Sequence, residues 1–441
     1  MGMLEQPVAA AAFDEAATVR KLQIRILPFV FILYVIAFLD RINIGFAALT
    51  MNRDLAITSQ QFGMLAGVFF FGYFIFEVPS NLMLHKVGAR VWIARILLSW
   101  GAVALLTGFA QSVHQIYALR FLLGLAEAGY FPGIVMYLTY WFRQREQAQA
   151  IAFVLAGIPV TSIIGGPLSG FILDHVHWLG VSNWRWLLIL EAVPALVGGV
   201  LTYFLLPGRP SAAKFLSESE KQWVASELDR EERQKLEVHQ VSALRALAHG
   251  RIWHVAMMGF TLNVGMYTLS FWLPQLVKSF SGHYSNSMIG LLVMAPNVVG
   301  LVAMILVSRS SDRRLERRYH SALAALTAAI ALLSLSLTHS VGLWLVLLCF
   351  AFAGLYSMYG PLYSIPGEFL TGYAAASGIA VVASVANLGG FVGPYASGLI
   401  NQKTGSLNSG LVLAGVSLVA SATLAWLLPK AHGATRNRQA R

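Results

Sequence analysis

The stretch "ILPFVFILYVIAFLDRINIGFAAL", residues 26–49, reads as a helix that crosses a lipid bilayer, yet it carries Asp40 and Arg41 side by side near its middle. Crossing the hydrocarbon core takes about 20 helical residues. A lone segment in lipid must satisfy its own backbone groups, which a helix does and an isolated strand does not. A transmembrane barrel would instead show alternating segments of about ten residues. The run is too long for a signal peptide and lacks a small-residue cleavage site.

Runs of the same kind recur along the chain, at 62–84, 91–110, 116–140, 148–173, 186–206, 252–276, 288–308, 321–338, 343–365, 374–400 and 409–428. Composition agrees: 57% of the 441 residues are hydrophobic and 12% charged, with mean hydropathy +0.65. Soluble domains carry about 25% charged residues. The expected fold class is therefore an all-α polytopic membrane protein with twelve transmembrane helices, numbered spans 1 to 12 in the order above. The single cysteine, Cys349, sits inside span 10, which excludes an intrachain disulfide.

Loop charge sets the expected orientation. Lysine and arginine concentrate before span 1, in the 2/3, 4/5 and 8/9 turns, in the segment 207–251 and in the tail, whereas the alternate loops hold only Arg53, Arg185, Lys278 and Lys403. By the positive-inside rule both termini face the cytoplasm, in a multi-pass protein of the cell membrane. The net charge of +11 thus reads as topology. With no aromatic-basic platform and no recognition motif, no nucleic-acid partner is expected.

The chain divides into a cytoplasmic segment (1–25), a first six-helix half (26–206), a cytoplasmic linker (207–251), a second half (252–428) and a cytoplasmic tail (429–441). In the linker, "FLSESEKQWVASELDREERQK" reads as a helix capped by Ser217, with Glu220 three residues on. The halves echo one another: "GPLSG" (166–170) in span 5 matches "GPYASG" (393–398) in span 11, and "HKVGAR" (85–90) after span 2 matches "SDRRLERR" (311–318) after span 8. Duplicated halves joined by a linker mark a secondary transporter with a midplane site. Glycine and proline are also common wherever membrane helices pack closely.

Five blocks carry a family resemblance: "FLDRINIGFAALTM" (38–51), "EVPSNLMLHKVGAR" (77–90), "RFLLGLAEAGYFPGIVMYLTYWF" (120–142), "NWRWLLILEAVPAL" (183–196) and "IPGEFLTGYAAASGIAVVASVANLGGFVGP" (365–394). Together they resemble the anion:cation symporter family of the major facilitator superfamily, particularly bacterial tartrate, phthalate and 4-hydroxyphenylacetate permeases. The resemblance implies the twelve-helix major facilitator fold and proton-coupled uptake of an organic anion. It further implies that an Asp-Arg pair in span 1, an Arg and a Glu in span 4 and an Asn in span 11 serve coupling and anion recognition.

Read directly, the residues point the same way. Ionisable groups at mid-membrane are costly and so mark functional sites. Four stand out: Asp40, Arg41, Arg120 and Glu127. At about 1.5 Å per residue, Asp40 lies about 13 Å from the outer end of its span, between the levels of Arg120 at about 6 Å and Glu127 at about 16 Å. Arg120 and Glu127 are seven residues apart and share a helix face, with Gly124 between them. Asp40 and Arg41 point about 100° apart, so each needs a partner elsewhere.

Two readings of this quartet stand. One is a buried ion-pair network that ties spans 1 and 4 together, although buried pairs are weak stabilisers. The other makes Asp40 and Glu127 proton-binding carboxylates, with Arg41 and Arg120 taking the substrate carboxylate once the acids are protonated. Arginine suits that role because its planar fork matches a carboxylate and stays charged when buried.

The remaining candidates are polar. Asn387, near the middle of span 11, is a substrate hydrogen-bonder or a packing amide; Asn43, on the face of Asp40, orients that carboxylate or touches substrate. Tyr73, Tyr267, Tyr356 and Tyr359 are further substrate candidates, although an aromatic in a membrane helix is more often a packing residue or an interface anchor. Asp312 and Arg313 fit the superfamily's cytoplasmic gating motif in the 8/9 turn; Gly88 and Arg90 fit it in the 2/3 turn, where His85 stands in place of the usual aspartate. Glu77, Glu191 and Glu368 read as structural side chains reaching toward helix ends. "DHVH" (174–177) reads as a solvated loop rather than a metal site. No Walker loop, dinucleotide fingerprint or "GxSxG" elbow is present, so no cofactor and no enzymatic chemistry are expected.

The sequence thus predicts a proton-coupled symporter for a small organic anion, acting as a monomer by alternating access. An anion exchanger and a transporter-like nutrient sensor are the alternatives.

Overall fold

The computed structural model describes residues 14–238, 250–280, 283–338, 340–369 and 372–429, and these form helices without any strand. The membrane-crossing elements are span 1 (Glu15–Asp54), span 2 (Ser59–Val87), span 3 (Ala89–Thr107), span 4 (Val113–Glu127 and Tyr130–Thr139), span 5 (Gln144–Leu155 and Gly157–His175) and span 6 (Asn183–Leu205). After the linker helix Glu218–Val238 come span 7 (Gly250–Phe280), span 8 (Asn286–Arg314), span 9 (Arg318–Leu335), span 10 (Val341–Ser364), span 11 (Gly372–Thr404) and span 12 (Asn408–Leu427). Eleven are apolar enough by composition alone to be membrane spans. Span 7 is long enough, at 31 residues, but Asn263, Tyr267 and Thr268 dilute its apolar character. The chain is a multi-pass membrane protein whose described ends lie on one face, here the termini face.

Several helix starts follow from local chemistry. Thr58 and Gln61 form a reciprocal capping box at span 2, and Ser112 and Ser285 accept backbone N–H bonds at the starts of spans 4 and 8. Ser217 Oγ accepts from Glu220 N (3.3 Å) while Glu220 Oε2 accepts from Ser217 N (2.7 Å), closing the linker helix box.

Among the element boundaries that differ from those expected, three bear on the site and the termini face. Span 1 begins at Glu15, because Asp14 caps it by accepting from Ala17 N at 3.0 Å, so a 40-residue helix overhangs the termini face. Span 8 continues to Arg314, which puts Asp312 and Arg313 in its last turn rather than in the 8/9 loop. Span 4 is interrupted at Ala128–Gly129, where Gly129 takes the left-handed conformation (φ 83°). Ser80 Oγ donates to the Ala128 carbonyl there at 2.6 Å.

The two halves meet along seams at the face opposite the termini. Span 5 packs on span 8 so tightly that a β-carbon on Gly170 would come within 2.3 Å of the Asn286 carbonyl oxygen. Span 2 packs on span 11, where Gly63 faces the Pro394 carbonyl and Gly398 faces Ser59. The echoed "GPLSG" and "GPYASG" blocks therefore supply one seam each, because small residues let backbones approach closely. Asn52 Nδ2 to Gln275 Oε1 (3.3 Å) and the Phe62–Trp272 edge contact join spans 1 and 2 to span 7 on the same face.

The linker helix docks on the first half. Lys21 Nζ pairs with Glu220 (2.9 Å), and Arg143 donates to Glu15 (2.8 Å) and Glu146 (2.7 Å) and pairs with Glu227 (3.5 Å). Its guanidinium also lies over the Trp223 ring, 4.8 Å from the centroid.

Candidate functional site

Asp40 and Arg41 diverge because neighbouring residues on a helix point in different directions. Arg41 turns to span 4 and donates through Nε (2.9 Å) and Nη2 (2.6 Å) to the same oxygen, Glu127 Oε1. Asp40 turns to span 3, where the Trp100 indole Nε1 donates to its Oδ2; Asn43 Nδ2 donates to its Oδ1 at 3.2 Å. Arg120 Nη1 reaches the Asp40 backbone carbonyl at 3.4 Å rather than its carboxylate. Gly124 makes the arrangement possible: a β-carbon there would sit 2.0 Å from the Phe69 carbonyl oxygen, so spans 2 and 4 touch backbone to backbone.

All of these side chains are buried, from 0% exposed for Glu127 to 8% for Arg41. Their hydrogen-bonding capacity is nevertheless unfilled. Arg120 Nε and Nη2, Glu127 Oε2 and Asn43 Oδ1 are buried polar atoms with no hydrogen-bond partner among the described residues. Buried polar atoms are satisfied in the great majority of cases, so four orphans in one cluster call for an explanation. A cavity of about 10 Å³, enough for one water molecule, opens beside Asp40, Asn43, Thr107 and Arg120.

Aromatic rings frame the cations. The Arg41 guanidinium lies 4.8 Å from the Phe38 ring centre and 5.3 Å from those of Phe69 and Tyr73; Arg120 lies 5.3 Å from Phe69. Cation–π attraction holds both guanidinium groups without consuming their N–H donors. Tyr267 approaches from span 7, its ring 4.5 Å from that of Phe70, and its phenol is close to Arg41. Tyr73 and Tyr267 thus line the Arg41 side of the cluster from opposite halves.

The other candidates lie in separate settings. Tyr359 Oη donates to Asn263 Oδ1 (3.0 Å), and Asn263 Nδ2 donates to the Ala386 carbonyl (3.0 Å), next to Asn387. Asn387 is half-buried and holds no hydrogen bond among the described residues. Tyr356 Oη donates to Asn297 Oδ1 at 2.7 Å, a bond that joins spans 10 and 8 within the second half. At the termini face Asp312 pairs with Arg317 (2.5 Å), and Arg317 also faces Glu368 (3.9 Å). Arg90 Nε donates to the Tyr203 carbonyl at the end of span 6 (2.8 Å), and Gly88 joins spans 2 and 3 at φ 92°. The side chain of His85 lies outside the described residues, as do 1–13 and 430–441.

Sequence reasoning missed four side chains. Trp100, central in span 3 and fully buried, is the Asp40 partner. A mid-span tryptophan far from either interface, whose N–H needs an acceptor, was the available signal. Glu77 Oε2 accepts from Ser384 Oγ of span 11 at 2.9 Å, which links the halves on the termini side of the cluster. Glu191 is 2% exposed and accepts from Ser169 Oγ at 2.7 Å; span 6 starts at Asn183, so the residue sits nearly a turn deeper than its predicted span implied. Asp174 is no solvated loop residue. It closes span 5 and caps span 8, accepting from Asn286 N (3.1 Å), Asn286 Nδ2 (2.8 Å) and Ser287 N (2.7 Å), because the free N–H groups and positive end of a helix attract a carboxylate.

Comparisons with known proteins agree with this architecture. The family model described as Major Facilitator Superfamily matches residues 30–394. A protein of Agrobacterium vitis named for tartrate transport is 44% identical over 94% of this chain and 95% of its own length. A Pseudomonas putida protein named for metabolite transport, NicT, is 38% identical over 93% and 94%. Among solved structures, a bacterial homologue of the human lysosomal transporter Spinster, inward-facing and unoccupied, superposes with a TM-score of 0.75 over 92% of this chain and 96% of that one, at 17% identity, a likeness of fold alone. The chain belongs to the major facilitator superfamily, in the branch that holds these bacterial transporters.

Proposed function

We propose that the chain is a proton-coupled symporter that imports a small organic anion, a mono- or dicarboxylate, across the cell membrane by alternating access, with both termini cytoplasmic. The observation that carries this reading is the buried Arg120 guanidinium, whose Nε and Nη2 have no partner among the described residues, in the same aromatic frame as an Arg41 whose ion-pair partner is Glu127. Superfamily membership and relatives named for tartrate transport support secondary transport of an organic anion.

The chemistry is a competition. With Glu127 ionised, Arg41 is occupied and an incoming anion meets little net positive charge. A proton on Glu127 removes that partner, and Arg41 and Arg120 then offer two planar forks to one carboxylate, or to both ends of a dicarboxylate. A proton on Asp40 removes the remaining negative charge beside Arg120. Release of the protons to the cytoplasm restores the Arg41–Glu127 pair and expels the anion. Tyr73 and Tyr267, one from each half, would close around the substrate, and Asn387 adds a neutral hydrogen-bonding group from span 11. The far-face seams correspond to the state closed to the outside, and the protein works as a monomer in the lipid bilayer.

The test uses purified protein in vesicles with an imposed pH gradient and a panel of tartrate, phthalate, 4-hydroxyphenylacetate and sugar acids. Wild type is expected to accumulate at least one of these acids when the outside is acidic. Asp40→Asn and Glu127→Gln are expected to lose accumulation while substrate exchange continues. Exchange without any proton-driven accumulation by wild type would make the protein an exchanger, and binding without movement would make it a sensor.

A further inference from the structure

Deep in the first half lies an acid that the coupling scheme does not use. Glu191 of span 6 lies against spans 1, 3 and 5. From span 5 Ser169 Oγ donates to its Oε1 at 2.7 Å, and from span 1 the Asn43 amide stands between it and Asp40. Span 3 presents the neutral Trp100 indole, which is committed to Asp40, while its Arg95 turns to the Ala126 carbonyl. Within span 6 itself, Arg185 is bound to the Gly108 and Ala110 carbonyls. No cation therefore pairs with Glu191 among the described residues: Arg41 is held by Glu127, and Arg120 lies against Asp40.

Charge and hydrogen bonding give the same answer. Arg41 and Arg120 are already matched by Glu127 and Asp40, and Glu77 lies buried on the termini side with its own Ser384 bond, so an ionised Glu191 would add a negative charge that no buried guanidinium offsets. A buried charge without a partner is strongly disfavoured, and the group takes up a proton instead. Glu191 Oε2 and Asn43 Oδ1 are both buried acceptors without a donor. An ionised carboxylate is acceptor-only, whereas a protonated one also donates. One proton on Glu191 thus removes that uncompensated charge and supplies a donor beside an amide oxygen that lacks one.

We propose that Glu191 holds a proton in the resting transporter and positions Asp40 through the Asn43 amide, so that Asp40, Asn43, Glu191 and Ser169 form one proton-holding unit across spans 1, 5 and 6. This rests on the coupling role given to Asp40 under the proposed function. Glu191 is a positioning residue, since nothing places it against the substrate.

The test is infrared difference spectroscopy on purified full-length protein at neutral pH, which reads the carbonyl stretch of a protonated carboxyl directly and needs no substrate. Wild type is expected to show a protonated carboxyl band that Glu191→Gln abolishes, while Asp40→Asn retains it. Ser169→Ala, which changes neither charge nor backbone, is expected to keep the band but displace it, because one hydrogen bond to the carboxyl is gone. A band that persists unshifted in both Glu191→Gln and Ser169→Ala overturns the assignment, and so does its absence from wild type. Should Glu191→Gln fail to fold, the Ser169→Ala displacement decides alone. Failure of wild type to accumulate any acid would overturn the symport reading and leave the band assignment standing.

Discussion

Arg120 is the residue on which the anion site turns. Its charge alone would be met by lysine, but the two unpartnered donors, Nε and Nη2, belong to a planar fork that lysine lacks. Arg120→Lys is expected to weaken apparent substrate affinity by about tenfold or more, the equivalent of about 1.4 kcal/mol, with membrane insertion retained. Uptake measured over a range of substrate concentrations checks this, and an unchanged KM would remove Arg120 from the binding site. At this scale the four charged positions were legible in the sequence, because charges are rare in an apolar run and each must have a reason to be there. Their pairing was not. Whether Asp40 faces Arg120, Asn43 or Trp100 depends on how spans 1, 3 and 4 are rotated, and adjacent letters in a sequence carry no information on that rotation.

At the scale of the helix, two features bear on the proposed alternating access. The first is the interruption of span 4 directly after Glu127, where Gly129 is left-handed and Ser80 takes up the freed Ala128 carbonyl. Broken helices at mid-membrane recur at transporter binding sites, because unwound backbone is tolerated only where protein surrounds it. The second is the Asp174 cap on span 8, which ties the first half to the second. Loss of a cap costs about 0.5–2 kcal/mol. Asp174→Ala is therefore expected to raise the ratio of molecules open to closed on the far face by roughly two- to thirtyfold. Spin labels at Leu179 and Lys403, one on each half, would report this as a gain of longer distances. An unaltered distance distribution would show that the cap does not contribute to closure. The cap was hidden in the sequence because its donors lie 112 and 113 residues away.

Across the whole molecule, the linker helix Glu218–Val238 is docked on the first half. Burial raises the Glu220 carboxyl, but the Lys21 hydrogen bond and the Ser217 cap outweigh it and hold the group below its ordinary value of 4.5. A carboxyl depressed by docking stabilises the docked state above its free value and ceases to do so as the pH falls through the depressed value. Acidification below 4.5 is thus expected to loosen the linker helix, read as a lengthening between labels at Ile24 and Asp229, with no change between neutral and mildly acidic pH. A linker equally docked at all these pH values would show that the Lys21–Glu220 pair contributes nothing. The amino-acid sequence determined the twelve membrane helices, the division into two halves and the small set of intramembrane charges, because hydrocarbon imposes length, apolarity and a reason for every charge on each segment separately. Only the tertiary structure decided that Asp40 bonds Trp100, that Glu191 joins the cluster through Asn43, and that the echoed glycine blocks become the seams between halves. Those outcomes depend on the rotation and depth of helices packed against one another, which are set by side chains distant along the chain.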